Sequence, residues 1–114
     1  MAPIVHIVEE LYREIYKIGN TIPKRDKLGI HNQIENISIS LLINSIKASL
    51  AHRKEKATVI NKIRILTETL KYLVRIEHKL SIIDQGKYIL LETKLIEVSK
   101  MATNWERYIA NNST

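Results

Sequence analysis

Apolar residues recur at steps of three and four along most of this chain, and that spacing constrains the fold more than any other feature. In the last third of the sequence the apolar positions are Tyr88, Leu91, Leu95, Val98, Ala102, Trp105 and Ile109. Side chains at this spacing lie on one face of an α-helix, where they can be buried together. Helix-breaking residues are scarce, since the chain has only three glycines and two prolines. The sequence therefore predicts an all-α fold.

The breaks between the periodic stretches predict where each helix begins and ends. The predicted helices are residues 3–19, 26–51, 55–79 and 84–109, within a single domain that spans residues 1–114. Pro23 follows the first helix, Asp26 can cap the second, and Asp84 or Ser81 can cap the fourth. The tail, residues 111–114, is expected to fray. Four helices with short connections predict an up-down-up-down antiparallel four-helix bundle.

The second and third predicted helices carry more apolar surface than one bundle can bury. The second has an apolar stripe about 180° from its core stripe, and the third has an apolar arc of roughly 200° instead of the usual 100° or so. The excess residues are Ile39, Ile43, Ile46, Leu50, Ile65, Tyr72 and Ile76. Exposed surface of this kind would make a monomer aggregate, so we expect a homo-oligomer that forms a ring or barrel through these two helices. A bundle with an off-centre core is the alternative.

Positive charge is concentrated on the third predicted helix. Residues 52–79 carry eight Lys and Arg against three acids, whereas the whole chain has a net charge of +6. Arg64, Lys71, Arg75 and His78 fall within an arc of roughly 60° on the helical wheel, away from the predicted core stripe. We call these four residues the cationic ridge. It predicts binding to an anionic partner, although a solvated helix face is the plainer reading.

Further cations extend this nucleic-acid-binding hypothesis beyond the ridge. Lys79 follows it on the same helix, and Lys24, Arg25 and Lys27 surround the start of the second helix. Contacts of Lys and Arg to phosphate set affinity and salt dependence but carry no sequence information. We therefore expect RNA or DNA binding that depends on charge.

Motifs that would indicate catalysis, a metal site or a cofactor are weak or missing. The chain has no cysteine, which excludes disulfides and thiolate chemistry and fits a cytoplasmic protein. The four histidines lie on different predicted elements without metal-ligand spacing. Glu77 falls on the core side of its helix, where it could lie at the rim, pair with a lysine or be a buried acid. No signal peptide or membrane span is visible, and we expect neither an enzyme nor a bound metal or cofactor.

Several short motifs, in a constant order, resemble one known family. They are Leu-Lys-Tyr-Leu-Val-Arg-Ile at residues 70–76, Tyr88, Leu-Ile-Glu-Val-Ser-Lys-Met at residues 95–101, Trp105, Ile-Pro-Lys-Arg at residues 22–25, and Leu-Gly-Ile-His at residues 28–31. Together they are similar to the accessory variability determinant (Avd) proteins of diversity-generating retroelements, over about residues 5–109. The chain departs from the family pattern at Ser99 and at Thr103 and Asn104, where the family has glycines.

The resemblance implies a non-catalytic accessory subunit. Members of the family are four-helix bundles that form a basic pentameric barrel and bind the reverse transcriptase and template RNA of the retroelement in support of mutagenic retrohoming. Their two motif arginines correspond to Lys71 and Arg75 here. Three alternatives stay open: a bundle protein of the kind encoded by intervening sequences of large-subunit ribosomal RNA genes, a protein-binding scaffold, and a small helical enzyme that binds an anionic metabolite.

Overall fold

The chain folds into four long helices and one short one. A computed structural model describes residues 1–112. The helices are α1 (Pro3–Gly19), α2 (Lys24–Leu28), α3 (Ile30–Leu50), α4 (Arg53–Lys79) and α5 (Gln85–Asn111). The four long helices pack into a bundle that measures 51 × 20 × 19 Å. The predicted all-α four-helix fold is confirmed.

The long helices are arranged around the bundle in chain order. α3 packs against α1 and α4, and α5 packs against α4 and α1. The start of α1 meets the end of α3, where the Ala2 amide donates to the Ser49 hydroxyl at 3.4 Å. One end of the bundle holds α2, with the ends of α1 and α4 and the starts of α3 and α5, and we call it the α2 end. At the opposite end, the hairpin end, Ala51 and His52 join α3 to α4.

The predicted second helix, residues 26–51, is interrupted at Gly29 and begins earlier than expected. Helical hydrogen bonding starts after Pro23, whose carbonyl accepts from the amides of Asp26 and Lys27. The helix therefore begins at Lys24, and Asp26 is inside it rather than at its cap. A Cβ on Gly29 would come within 2.9 Å of the Arg25 carbonyl oxygen, so the glycine allows the chain to turn sharply between α2 and α3.

The remaining helix ends lie within two residues of the predicted positions. α4 begins at Arg53, two residues before the predicted start. Asp84 caps α5 by accepting from the Lys87 amide at 2.8 Å, which decides between the two predicted caps. α5 continues through Asn111, the first residue of the tail that is expected to fray. The last two residues of the predicted tail, 113–114, lie outside the described part of the chain.

The core is mainly aliphatic and runs along the bundle axis. Its completely buried apolar residues are Val8, Leu11, Ile15, Ile34, Leu41, Ala48, Ile60, Ile63, Leu70, Leu91, Leu95, Val98 and Ala102. Burying one such Val, Leu or Ile side chain stabilises the fold by about 1.5–3 kcal/mol. On α4 the helical spacing predicts a core side made of Val59, Ile63, Leu66, Leu70 and Leu73. The buried face instead also includes Thr67 and Val74, and Leu66 and Leu73 are only half-buried. The buried face of α4 is therefore rotated by about 50° from the predicted one, at 100° per residue.

Candidate nucleic-acid interface

The cationic ridge lies on the flank of α4 that faces α5. Arg64 reaches Glu106 of α5 with 2.7 Å between Nη1 and Oε1. His78 stacks on the Tyr88 ring with 4.5 Å between the ring centroids. The ridge lies outside the core, since Arg64 and Arg75 are exposed and Lys71 and His78 are half-buried, but the rotated buried face brings Arg64 and His78 beside the neighbouring helix.

Most of the ridge already has a partner within the chain. Besides Arg64, the Lys71 ammonium lies 3.1 Å from Glu68 Oε1, and the Arg75 guanidinium lies 5.3 Å from the centre of the Tyr72 ring. Pairs at a protein surface are weak, typically about 0.2–1 kcal/mol. A phosphate could therefore replace Glu106 or Glu68 as the partner of Arg64 or Lys71 at little cost.

The other predicted binding residues lie at the α2 end. Lys24, Arg25 and Lys27 belong to α2, and Lys79 is the last residue of α4. Arg25 reaches Asp26 at 3.3 Å. Lys24, Lys27 and Lys79 are exposed and form no ion pair within residues 1–112. Of the predicted set, these three lysines are the cations most free to meet phosphate.

The excess apolar residues of the sequence form an exposed surface on α3 and α4. The apolar α3–α4 face comprises Ile39, Ile43, Ile46, Leu50, Ile65, Tyr72 and Ile76. Leu50 is 72% exposed, Tyr72 64% and Ile43 47%, whereas Ile46 is half-buried against the core. These residues contribute little to the core of a single bundle. Their proposed part in assembly stays a prediction.

A buried ion pair at the α2 end is the polar feature that the sequence indicated least. His31 and Glu77 are completely buried, and His31 Nδ1 lies 2.7 Å from Glu77 Oε2. His31 Nε2 lies 2.7 Å from the Ile15 carbonyl oxygen, so the imidazole joins α1, α3 and α4. Gly19 gives the ring room, because a Cβ there would come within 3.2 Å of His31 Cδ2. The partner of Glu77 is thus a histidine and not a lysine.

The surroundings of His31 favour its charged form. A carbonyl oxygen can only accept, so Nε2 must carry a proton, and Nδ1 faces a carboxylate. Burial lowers the pKa of His31, but the hydrogen bonds to Glu77 and to the Ile15 carbonyl, with the charges of Glu77 and Glu35, raise it above its ordinary value. Glu77 Oε1 is buried without a hydrogen-bond partner among the described residues. This pair joins helices and is too enclosed to meet a nucleic acid.

Two surface hollows lack the converging cations that the alternative of a helical enzyme would need. A hollow of about 310 Å³ between the start of α1 and the end of α5 has no charged residue in its lining; it is lined by Ala2, Pro3, Ile4, Met101, Asn104 and Trp105. A second hollow, of about 600 Å³, lies over α4 and contains Arg64 and Glu68. Within residues 1–112, no group of three or more His, Cys, Asp or Glu side chains is placed to hold a metal ion.

Comparison with known protein families identifies the relatives of the chain. The family model described as bAvd-like matches residues 4–109. The chain belongs to the bAvd-like family. Proteins of this family are non-catalytic accessory proteins of diversity-generating retroelements. The resemblance seen in the sequence motifs is confirmed over nearly the same span. No curated protein matches the chain.

The bAvd-like motifs have recognisable places in the fold. Lys71 and Arg75 lie on α4, where they contact Glu68 and Tyr72, and Tyr88 and Trp105 are half-buried on α5. The departures at Ser99 and Thr103 leave α5 a continuous helix, and both side chains line the hollow over α4. No helix among the described residues is both long and apolar enough to span a membrane.

Two polar features of this bAvd-like chain were missed from sequence. The spacing of the histidines indicates no metal site, and it does not predict the burial of His31. Its position on the core face next to Gly19 is visible only when the helices are packed. Lys47, Lys54 and Lys62 were not singled out either, although the charge count for residues 52–79 includes Lys54 and Lys62.

Proposed function

We propose that this protein is a non-catalytic accessory subunit of a diversity-generating retroelement, a basic homo-oligomer that binds the reverse transcriptase and the template RNA or DNA to support mutagenic retrohoming. The family match over residues 4–109 carries the proposal. The net charge of +6 and the unpaired lysines of the α2 end are the features that support nucleic-acid binding.

Nucleic-acid binding in this proposal depends on phosphate contacts. Lys24, Lys27 and Lys79 supply unpaired charge at the α2 end, and Arg25 lies beside them. Arg64, Lys71 and Arg75 add contacts after they exchange an intramolecular partner for phosphate. Such contacts make affinity fall steeply with salt and leave sequence choice to the polymerase or to RNA shape.

Assembly in this proposal uses the apolar α3–α4 face. Isoleucine and leucine side chains exposed on two neighbouring helices are unfavourable in water, and a second copy of the chain can bury them against its own apolar surface. The pentamer follows from the family pattern rather than from any contact within the chain. A ring of identical subunits would repeat every cationic surface and so multiply the phosphate contacts.

The proposal is tested by measuring RNA binding by fluorescence anisotropy at several salt concentrations. We expect the wild-type protein to bind a labelled single-stranded RNA with an affinity that falls as salt rises. A variant with Lys24→Glu and Lys79→Glu should bind at least tenfold more weakly. The matched control, Arg13→Glu with Lys17→Glu on the acidic α1 surface, reverses the same number of charges and should bind within about threefold of wild type. Absence of wild-type binding at 50 mM salt would contradict the proposed function.

A further inference from the structure

Three lysines at the hairpin end form a second cationic surface. Lys47 lies in the last turn of α3, Lys54 in the first turn of α4, and Lys62 about two turns further along α4. All three are exposed, and none forms an ion pair within residues 1–112. We call them the hairpin lysines.

The connection between α3 and α4 brings these lysines to one end of the molecule. At a rise of about 1.5 Å per residue, Lys47 lies roughly 5 Å from the end of α3 and Lys62 roughly 14 Å from the start of α4. The bundle is 51 Å long, so all three lie within its last third. On the helical wheel, Lys47 and Lys62 point outward, well away from the buried faces of α3 and α4.

Little negative charge offsets this surface. Residues 47–62 contain five Lys and Arg and a single acid, Glu55. The other two cations of the segment are engaged on the side toward α5. Arg53 donates to the Asn112 carbonyl, and the Lys56 ammonium lies 5.5 Å from the centre of the Trp105 ring. The hairpin lysines are left as an unneutralised group on the α3–α4 side.

The start of α4 adds further donors to the same place. No side chain caps the helix, and the first amides to bond within it are those of Glu55 and Lys56, both to the His52 carbonyl. Free amides at a helix N-terminus, together with the positive end of the helix dipole, favour an anionic oxygen. Lys54 lies in this first turn, as does the acid Glu55.

We infer that the hairpin lysines form a binding site for the phosphate backbone of a nucleic acid, separate from the cations of the α2 end. The inference rests on the proposed function, because it names a second surface for the same partner. Lysine acts as a point charge on a flexible stem, which suits a repeated phosphate better than the fixed geometry of a single carboxylate. A backbone that crosses the hairpin end would meet three unpaired ammonium groups.

The test compares two triple variants that change the same charge. One carries Lys47→Glu, Lys54→Glu and Lys62→Glu at the hairpin end, and the other carries the same change at Lys24, Lys27 and Lys79. Binding of a labelled single-stranded RNA is measured by anisotropy at 50, 100 and 200 mM KCl. With a slope of about −0.7 per phosphate contact on a single strand, loss of three contacts should lower the salt slope by about two and the affinity at 0.1 M salt by about 100-fold.

Each result separates the site from the proposed function. A hairpin variant that loses affinity and slope as stated, with unchanged circular dichroism and sedimentation, supports the site. If it binds RNA like wild type while the α2-end variant loses binding, the inference is overturned and the proposed function stands. A hairpin variant that still binds RNA but no longer binds the reverse transcriptase would make the surface a protein-docking site and also overturn the inference. Absence of wild-type RNA binding would overturn both.

A milder variant covers the case in which charge reversal disturbs folding or assembly. Replacement of Lys47, Lys54 and Lys62 by Gln keeps helix propensity and removes the charge without introducing repulsion. The salt slope should still fall by about two. An unchanged slope in a folded glutamine variant of wild-type oligomer size would overturn the inference.

Discussion

The burial of the His31–Glu77 pair allows a quantitative prediction about the stability of the protein. Both side chains are completely buried, and Glu77 is the only carboxylate that hydrogen-bonds to the imidazole among the described residues. Glu77→Ala would leave a charged imidazole in the core without its counter-charge, a change that typically costs about 3–5 kcal/mol. At roughly 0.05–0.15 kcal/mol per residue, a chain of this length is stable by about 6–17 kcal/mol. The variant should therefore lose a large fraction of its stability.

Two companion variants separate the charge from the packing. Glu77→Gln keeps the shape and an acceptor for His31 Nδ1–H, so it should lose less than Glu77→Ala, about 1–3 kcal/mol. The double replacement His31→Met with Glu77→Leu fills the space with apolar atoms. Replacing a whole buried ion pair in this way is often neutral or stabilising, so the double variant should be more stable than Glu77→Ala.

The raised pKa of His31 predicts how this contribution depends on pH. A group whose pKa is higher in the folded than in the unfolded state stabilises the fold fully below its unfolded pKa, near 6.5 for histidine. That stabilisation is lost as the pH rises through the folded pKa. The difference in free energy of unfolding between wild type and Glu77→Gln should therefore be largest near pH 6 and shrink toward pH 9.

Urea unfolding followed by circular dichroism at 222 nm gives these free energies at one fixed protein concentration, because assembly makes stability depend on concentration. Two results would refute the reasoning. One is a loss below 1 kcal/mol for Glu77→Ala. The other is a His31→Met, Glu77→Leu double variant whose loss equals the sum of the losses of His31→Met alone and Glu77→Leu alone, since independent residues behave in that way.

Two further predictions concern assembly and the start of α5. The double variant Ile43→Asp, Ile46→Asp should dissociate the oligomer, because charge in a dry interface is costly, whereas the control Ile89→Asp on the exposed surface of α5 should not. Oligomer size is measured by sedimentation velocity, and a wild-type monomer at micromolar concentration would contradict the proposed assembly. Asp84→Ala should lower the free energy of unfolding by about 1 kcal/mol, because the hydrogen bond that caps the helix at the Lys87 amide is lost, whereas Asp84→Asn should keep most of the stabilisation from the cap. Equal stability of the two variants would show that the cap contributes nothing.

Helical periodicity predicted the bundle well because the core faces of all four long helices follow the spacing of three and four. Helical periodicity was less able to predict which face of α4 is buried. Thr67 is polar by composition, yet its hydroxyl donates to the Ile63 carbonyl at 2.7 Å, which allows complete burial. With Ile60 and Val74 it turns the buried face toward the ridge. A periodicity count that leaves out threonine cannot detect this rotation.

The candidate site was predictable in charge but not in pairing. The sequence located Arg64 and Lys71 on one arc of a helix, yet the acidic partner of Lys71 is on the same helix and that of Arg64 is on another helix. Glu68 is three residues from Lys71 and could be foreseen from helical spacing. Glu106 is on another helix, as His31 is for Glu77, and such partners depend on how two helices are aligned along the bundle. Exposure of Ile43 and Tyr72 followed directly from the doubled apolar pattern.

Retrohoming in cells that carry the complete retroelement is the most direct test of the accessory role. The gene for this chain is deleted and supplied again on a plasmid, and mutagenic transfer into the variable repeat is counted by sequencing. We predict that transfer is lost on deletion and restored by the wild-type gene. We also predict that it is not restored by a Lys24→Glu, Lys27→Glu, Lys79→Glu variant that folds and assembles normally. Transfer at the wild-type rate without the chain would contradict the accessory role.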